Sequence, residues 1–425
     1  MRLNFAQIKK SISEVFYDIE NNDWILINFW NSLYLAFFLL PLGINLPTPF
    51  FVIAIILGIT QVIKAKKNYL LQHKAVLLFP VYFSILALSL TYTENFNDGL
   101  EIIQRSLSLL FFPVIFLFVK EDALKVRKLF KFLLIGIITS LFYNFCVSSL
   151  EIFEFIIEQN YSWTKSFVLH NLREIMHYFG GLNFGTLIDS NYISLYILLI
   201  LSYFSDKKIV KTYHFLIVFF LFAYLYLLAS RTAFLIVIVL SIFSISTIKD
   251  QNKRFLLIVI FMLGCIVFAM NAKMFPEFSN NNIPSTIKTS LHSRLLTWKA
   301  SFNAIQEEPF IGYGLGDAKP ALLRKYQELG YQQNYLKAYN AHNQFLETWL
   351  QTGIIGLSVL LSIFVLLAYK LRRNKNEMMV LLILFISLFF ESMLVRFNGI
   401  VLFSIIIPLL MKERSILSAK IIRNY

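Results

Sequence analysis

Three side chains stand out for the chemistry they could do, because each lies beside a signal for a helix start or an ordered loop. Arg231 occurs in the stretch LLASRTAFL, where Ser230 reads as the N-cap of the apolar run that follows. A guanidinium beside the first N–H groups of a helix makes a site for an anion such as phosphate. The plainer alternative is an arginine that snorkels to an interface. Arg294 sits one turn before Trp298 in HSRLLTWKASFNAIQEEP, with His292 two residues earlier. It either binds an anion, covers the apolar stripe of its helix or forms a surface ion pair. His342, in AYNAHNQFLETWLQTG, follows Asn340, which reads as the cap of the next apolar run, so that His342 falls in its first turn. A helix N-terminus disfavours an imidazolium and leaves a neutral ring able to accept a proton, although a histidine at a membrane interface needs no such role. The set would supply two cations and one group able to accept a proton.

Other residues carry less. His170, Arg173 and His177 cluster in one polar stretch, and His170 and Arg173 are candidates for substrate contact. Asn191, in DSNYISLYI beside Asp189, is either part of a cap or a polar contact. Glu391 lies inside an apolar run five residues before Arg396, so it reads as a functional residue or as half of an internal ion pair. GYGLG places Gly312, Gly314 and Gly316 in a turn, and no strand precedes it as a nucleotide fingerprint would require. No D-x-D pair, GxSxG elbow, HExxH or Walker sequence occurs, which removes the usual signs of a metal-dependent nucleotide-sugar site, a serine hydrolase, a zinc protease and an ATPase. Cys146 and Cys265 stand alone in apolar segments and suggest neither a disulfide framework nor a metal site.

The elements that must position these residues are membrane helices. The chain is 57% hydrophobic and 15% charged, with a mean hydropathy of +0.65, far more apolar than a soluble core needs. A hydrocarbon core of roughly 30 Å takes about 20 apolar residues in helical form. Long, non-alternating Leu/Ile/Phe runs give about twelve such segments, from Trp24–Leu40 to Asn398–Met411. The fold class expected is therefore all-α integral membrane, a single polytopic domain over 1–425. Lys and Arg concentrate in alternate connections, including Lys64 to Lys74, Lys120 to Lys131, Lys207 to Lys211, Lys249 to Arg254 and Lys370 to Lys375. The opposite short turns, such as PLGINLP and RFNG, are nearly free of lysine. The positive-inside rule then orients every turn without conflict and puts both termini in the cytoplasm. The net charge of +14 belongs to this topology and not to nucleic-acid binding. Phe5, Ile8, Ile12, Val15 and Ile19 recur at helical spacing and suggest an amphipathic helix on the cytoplasmic surface.

Two long connections fall on the outer side, a smaller one over 151–185 and a large one over 272–343 between spans nine and ten. A long ordered loop is usually functional. In the larger one Leu291, Leu295, Trp298, Phe302 and Ile305 predict an amphipathic helix, followed by the glycine turn and a polar helix near Ala321 to Leu329.

With these residues in place, the chain resembles the O-antigen ligase and polymerase superfamily of membrane glycosyltransferases. The matching elements are Ser230-Arg231 opening a span, HSRLLTWKASFNAIQEEPFIGYGLG with Arg294 and Trp298, and AHNQFLETWLQTGIIG with His342, Asn343 and Gly353; DSNYISLYI, with Asn191, adds a further position. The similarity covers roughly Asp189 to Leu360, and the first five spans match in hydropathy alone. The resemblance implies a GT-C-like helical fold in the bacterial inner membrane. It implies transfer of a glycan from an undecaprenyl-diphosphate donor to an acceptor hydroxyl at the periplasmic face, with no cofactor, nucleotide sugar or metal. It implies that Arg231 and Arg294 hold the diphosphate and that His342 acts as general base, with Asn191, His170, Arg173, Asn343 and Arg396 as further candidates for substrate contact. The acceptor would be lipid A core in a ligase, another repeat unit in a polymerase, or a protein. The absence of an Arg followed by ten residues and Gly, a pattern of some polymerases, favours a ligase. The non-enzyme alternative is a flippase for lipid-linked oligosaccharides. Transporters place polar groups near the midplane, whereas the notable charges here gather at the outer ends of spans.

Overall fold

The computed structural model describes residues 23–43, 45–65, 72–119, 123–158, 184, 187–204, 212–269 and 290–412. The regular structure among the described residues is all helical, with no strand among them. In chain order the helices are α1 (Trp24–Leu39), α2 (Thr48–Lys64), α3 (Leu78–Leu88), α4 (Phe96–Ser106), α5 (Ser108–Phe116), α6 (Ala123–Glu158), α7 (Ser190–Tyr203) and α8 (Thr212–Leu228). They continue as α9 (Arg231–Ser246), α10 (Gln251–Ala269), α11 (Ser290–Glu307), α12 (Ala318–Glu328), α13 (Gln332–Leu336), α14 (Gln344–Leu371), α15 (Lys375–Phe390) and α16 (Phe397–Met411). Each apolar segment of the sequence has a helical counterpart. Among the described residues six helical stretches are long and apolar enough to cross a membrane, and five more apolar helices are shorter. The N-terminal amphipathic helix and much of both long connections lie outside the described residues.

Burial sorts the helices into an inner and an outer set. Along α7 nearly every residue from Tyr192 to Ile200 is buried, and α16 is buried from Asn398 to Met411. A helix that is apolar all round and enclosed all round belongs at the centre of a bundle. At the other extreme α10 buries no residue among its neighbours, as a helix facing lipid would. Aromatic rings fill the first part of the bundle: Phe29, Trp30 and Phe116 pack with ring centroids 5.4 to 6.3 Å apart, within the range that favours edge and offset contacts.

One face of the bundle is basic. Lys412 is 4% exposed, and its Nζ donates to the carbonyls of Phe116 and Val119, while Lys370 Nζ donates to the carbonyl of Met411. Ammonium groups thereby satisfy carbonyls that helix C-termini leave open.

The opposite face carries the ordered part of the large connection, and its attachment corrects two expectations. The span beginning at Gln344 is not one rod. Gly353 (φ 63°, ψ −164°) interrupts α14 in a region essentially restricted to glycine. A straight helix of 28 residues would run about 42 Å, well past a hydrocarbon core, whereas the part after Gly353 runs about 27 Å. The turn 309–314 fills the break: Tyr313 N donates to Leu350 O (2.8 Å), Gly314 N to Gln351 O (3.0 Å), and Ile354 N to Pro309 O (3.0 Å). A Cβ on Gly312 would stand 2.5 Å from Leu350 O, and one on Gly316 2.0 Å from Asn95 O. The GYGLG glycines thus serve close backbone approach, as the turn reading held. Asp317 finishes the dock, its carboxylate accepting from Thr93 Oγ1 (2.9 Å), Glu94 N (2.6 Å) and Asn95 N (3.1 Å).

The second correction concerns α11. Its buried face is Thr297, Ala300, Ser301, Ala304 and Ile305, while Leu295 and Phe302 of the expected apolar stripe are half exposed. Small residues let α11 lie close against α12 and the first part of α14, and Trp298 packs its indole edge-on to Phe389 at 5.4 Å.

Candidate active site

Helix ends converge on the face that carries the α11–α13 loop. Asp189 caps α7, accepting from Asn191 N (2.9 Å). Ser230 caps α9 as expected, accepting from Ala233 N (3.3 Å) and donating its own proton to Asn191 Oδ1 (2.8 Å). Asn343 caps α14, accepting from Phe345 N (2.9 Å) and Leu346 N (3.2 Å). The cap is therefore Asn343 and not Asn340, and His342 precedes the helix instead of lying in its first turn. Asn340 Oδ1 accepts instead from His342 N (3.1 Å), and His342 takes a left-handed φ of 45°, uncommon for a residue with a Cβ. Arg396 stands where α16 begins, and Glu391 where α15 ends.

Glu391 is the centre. Its side chain is 10% exposed and faces Arg294 (4.0 Å), His342 Nδ1 (3.5 Å) and Arg396 (3.9 Å). Arg396 also bonds Asp189 Oδ2 at 3.2 Å. Arg231 opens α9 close enough for its charge, after burial and with Glu391 opposing, to pull the Arg294 pKa down. Three guanidiniums thus share this region with two carboxylates, and Glu391 meets Arg294 and Arg396 at ion-pair range without the short contacts of a bidentate bond. An excess of positive charge in a partly desolvated pocket, at the positive ends of helices, suits an anion.

The structure thus brings Arg231, Arg294, His342, Asn191 and Arg396 together. Asn343 is adjacent, but its side-chain oxygen is committed to capping α14. His170 and Arg173 lie outside the described residues. His292, two residues before Arg294, is on the exposed side of α11. Glu391 takes the central place that sequence reasoning left open between a functional group and an ion pair. Glu347, a carboxylate that sequence reasoning held as an alternative base to His342, is buried, with Oε2 accepting from the backbone N of the preceding Ala341.

A narrow cleft lined by Asn191, Tyr192, Ser230, Thr232, Glu391 and Met393 runs from the cluster into the bundle. It meets at Leu198 an apolar cavity of ≈ 500 Å³ between α7, α9 and α10, walled by Phe234, Val237, Leu240, Phe261 and Gly264. A charged mouth thereby adjoins a hydrocarbon-lined chamber.

Residues 216–361 match the family model described as O-antigen ligase. Over that segment, about a third of the chain, the protein is similar to the O-antigen ligase family. The matched segment runs from α8 through the broken α14 and includes Arg231, Arg294, His342 and the docked turn 309–316. Glu391 and Arg396, which complete the cluster, lie beyond it, as do α1 to α7. A comparison with curated proteins finds no match. The partial match and the run of apolar helices together point to a multi-pass membrane protein.

Proposed function

We propose that the protein transfers a glycan from an undecaprenyl-diphosphate donor to an acceptor hydroxyl at the periplasmic face of the bacterial inner membrane, acting as an O-antigen ligase on lipid A core. The observation that carries this reading is the meeting of Arg294, His342 and Arg396 around Glu391, with Arg231 near enough to act on Arg294, where helix ends converge.

In the proposed step Arg231 and Arg294 grip the diphosphate. His342 Nδ1 faces Glu391, which leaves Nε2 as the nitrogen to receive the acceptor's proton. The acceptor oxygen bonds the anomeric carbon as the bond from that carbon to the diphosphate oxygen breaks, and the electron pair stays on the diphosphate. Its negative charge grows in the transition state, so the arginines bind that state more tightly than the ground state. The apolar cavity between α7, α9 and α10 suits part of the polyprenyl chain, since its lining is apolar and it shares Leu198 with the cleft.

The glycolipid profile of a deletion strain tests the reading. Free lipid A core with accumulated undecaprenyl-linked polymer is the expected result. Core bearing a single repeat would make the protein a polymerase, and loss of transfer with the donor trapped on the cytoplasmic leaflet would make it a flippase.

A further inference from the structure

Glu347 sits beneath the cluster, 5% exposed, with both oxygens engaged. Oε2 accepts from Ala341 N at 2.9 Å and from Ser392 Oγ at 3.4 Å, and Oε1 accepts from Gln351 Nε2 at 3.4 Å. Ala341 is the residue before His342, and Ser392 the residue after Glu391. A single carboxylate oxygen therefore links the two backbone segments whose side chains meet at 3.5 Å. Gln344 adds a parallel strap, its Oε1 accepting from Leu394 N and its Nε2 donating to Thr348 Oγ1.

The segment held in this way would not keep its shape by propensity. His342 and Ala338 both take left-handed φ angles without being glycine, at a cost that the surroundings must offset. Ala341 is fully buried and His342 N is tied to Asn340, so the histidine hangs between fixed points. No acceptor hydroxyl reaches Glu347, because its oxygens face the interior.

We propose that Glu347 is a positioning residue for the transfer reaction, bracing the Ala341–Asn343 and Glu391–Ser392 segments so that His342 and Glu391 keep their spacing. This rests on the reading of His342 as the base and extends it to a group that touches no substrate.

The test uses the full-length protein in proteoliposomes, a synthetic polyprenyl-diphosphate-linked oligosaccharide as donor, and whichever of lipid A core or repeat-unit glycan supports wild-type transfer as acceptor. Glu347→Ala removes both bonds of Oε2 and lets the histidine shift. Turnover should fall about 10²-fold, the scale of an ångström of misplacement, with KM for the donor little changed. Glu347→Gln, whose amide oxygen can take the place of Oε2 and accept from both Ala341 N and Ser392 Oγ while its nitrogen faces a flipped Gln351 amide, should recover most of that turnover. Ser392→Ala, which breaks one arm, should fall between them; with Glu347→Gln it carries the test if Glu347→Ala does not insert. Wild-type turnover in Glu347→Ala, a loss confined to donor KM, or Glu347→Gln as inactive as Glu347→Ala would each overturn the brace. His342→Gln runs in the same assay: if it turns over normally, the base assignment fails, whatever Glu347 does.

Discussion

Arg231 and Arg294 act as a pair in this account, since each alone would meet a diphosphate from one side. Arg231→Ala and Arg294→Ala should each abolish or severely reduce transfer and weaken donor binding while the protein still inserts. Lysine at either position should rescue poorly, because an ammonium cannot reproduce the planar fork that meets phosphate through two bonds. Donor-binding isotherms on both alanine variants check this, and wild-type affinity would remove the clamp. Glu391→Gln should leave donor binding intact and lower turnover, since the group facing His342 Nδ1 loses its charge. Arg231 was legible in the sequence because it opens a helix in a short connection poor in lysine, Arg294 because it lies on an amphipathic loop helix, and His342 because it lies beside a helix-start signal. Glu391 was legible as an intramembrane carboxylate, but its partners were not: Arg294 and His342 lie 97 and 49 residues earlier in the chain. Glu347 was legible only as a carboxylate that could replace His342 as base, because its bonds to Ala341 and Ser392 join segments that are far apart in the chain.

At the scale of elements, the site depends on a broken helix and the turn that fills the break. Gly353→Ala would place a Cβ 2.0 Å from Phe310 O in a backbone region that side chains avoid. It should cost at least about 1–3 kcal/mol and lower the thermal midpoint together with activity. Asp317 pins the far side of the turn. Burial works against its charge, yet the bonds from Glu94 N, Asn95 N and Thr93 prevail and hold its carboxyl below the usual carboxylate range. A pKa lowered in the folded protein gives stability that is complete above the ordinary aspartate value and is lost as pH falls through the folded one. The α11–α13 loop should therefore loosen in acid below about pH 4, and Asp317→Ala should loosen it at neutral pH, by about 1–3 kcal/mol. Hydrogen exchange at residues 309–317 reports both; unchanged protection would show that the carboxylate does not hold the turn. α11 forms the helix its periodicity predicts, but of the expected stripe Ile305 and Trp298 pack inward while Leu295 and Phe302 are half exposed. Its close packing uses Ala300, Ser301 and Ala304, and hydropathy gives such small residues little weight.

For the whole molecule, the charge alternation read from the sequence agrees with the basic ends of the bundle lying opposite the cluster, as Lys370 and Lys412 do. Reporters fused after Lys208 or Arg373 should report cytoplasm, and a cysteine placed at 280–282 should label from outside. Outside labelling at both kinds of site would reverse the active face. The most direct test of the central claim, glycan transfer with His342 as base, is single-turnover transfer by purified His342→Gln in liposomes beside a donor-binding assay on the same preparation. Glutamine keeps a hydrogen-bonding side chain without useful basicity, so turnover should fall roughly 10² to 10⁴-fold while donor binding stays near wild type. Near-normal turnover with intact binding would contradict the account.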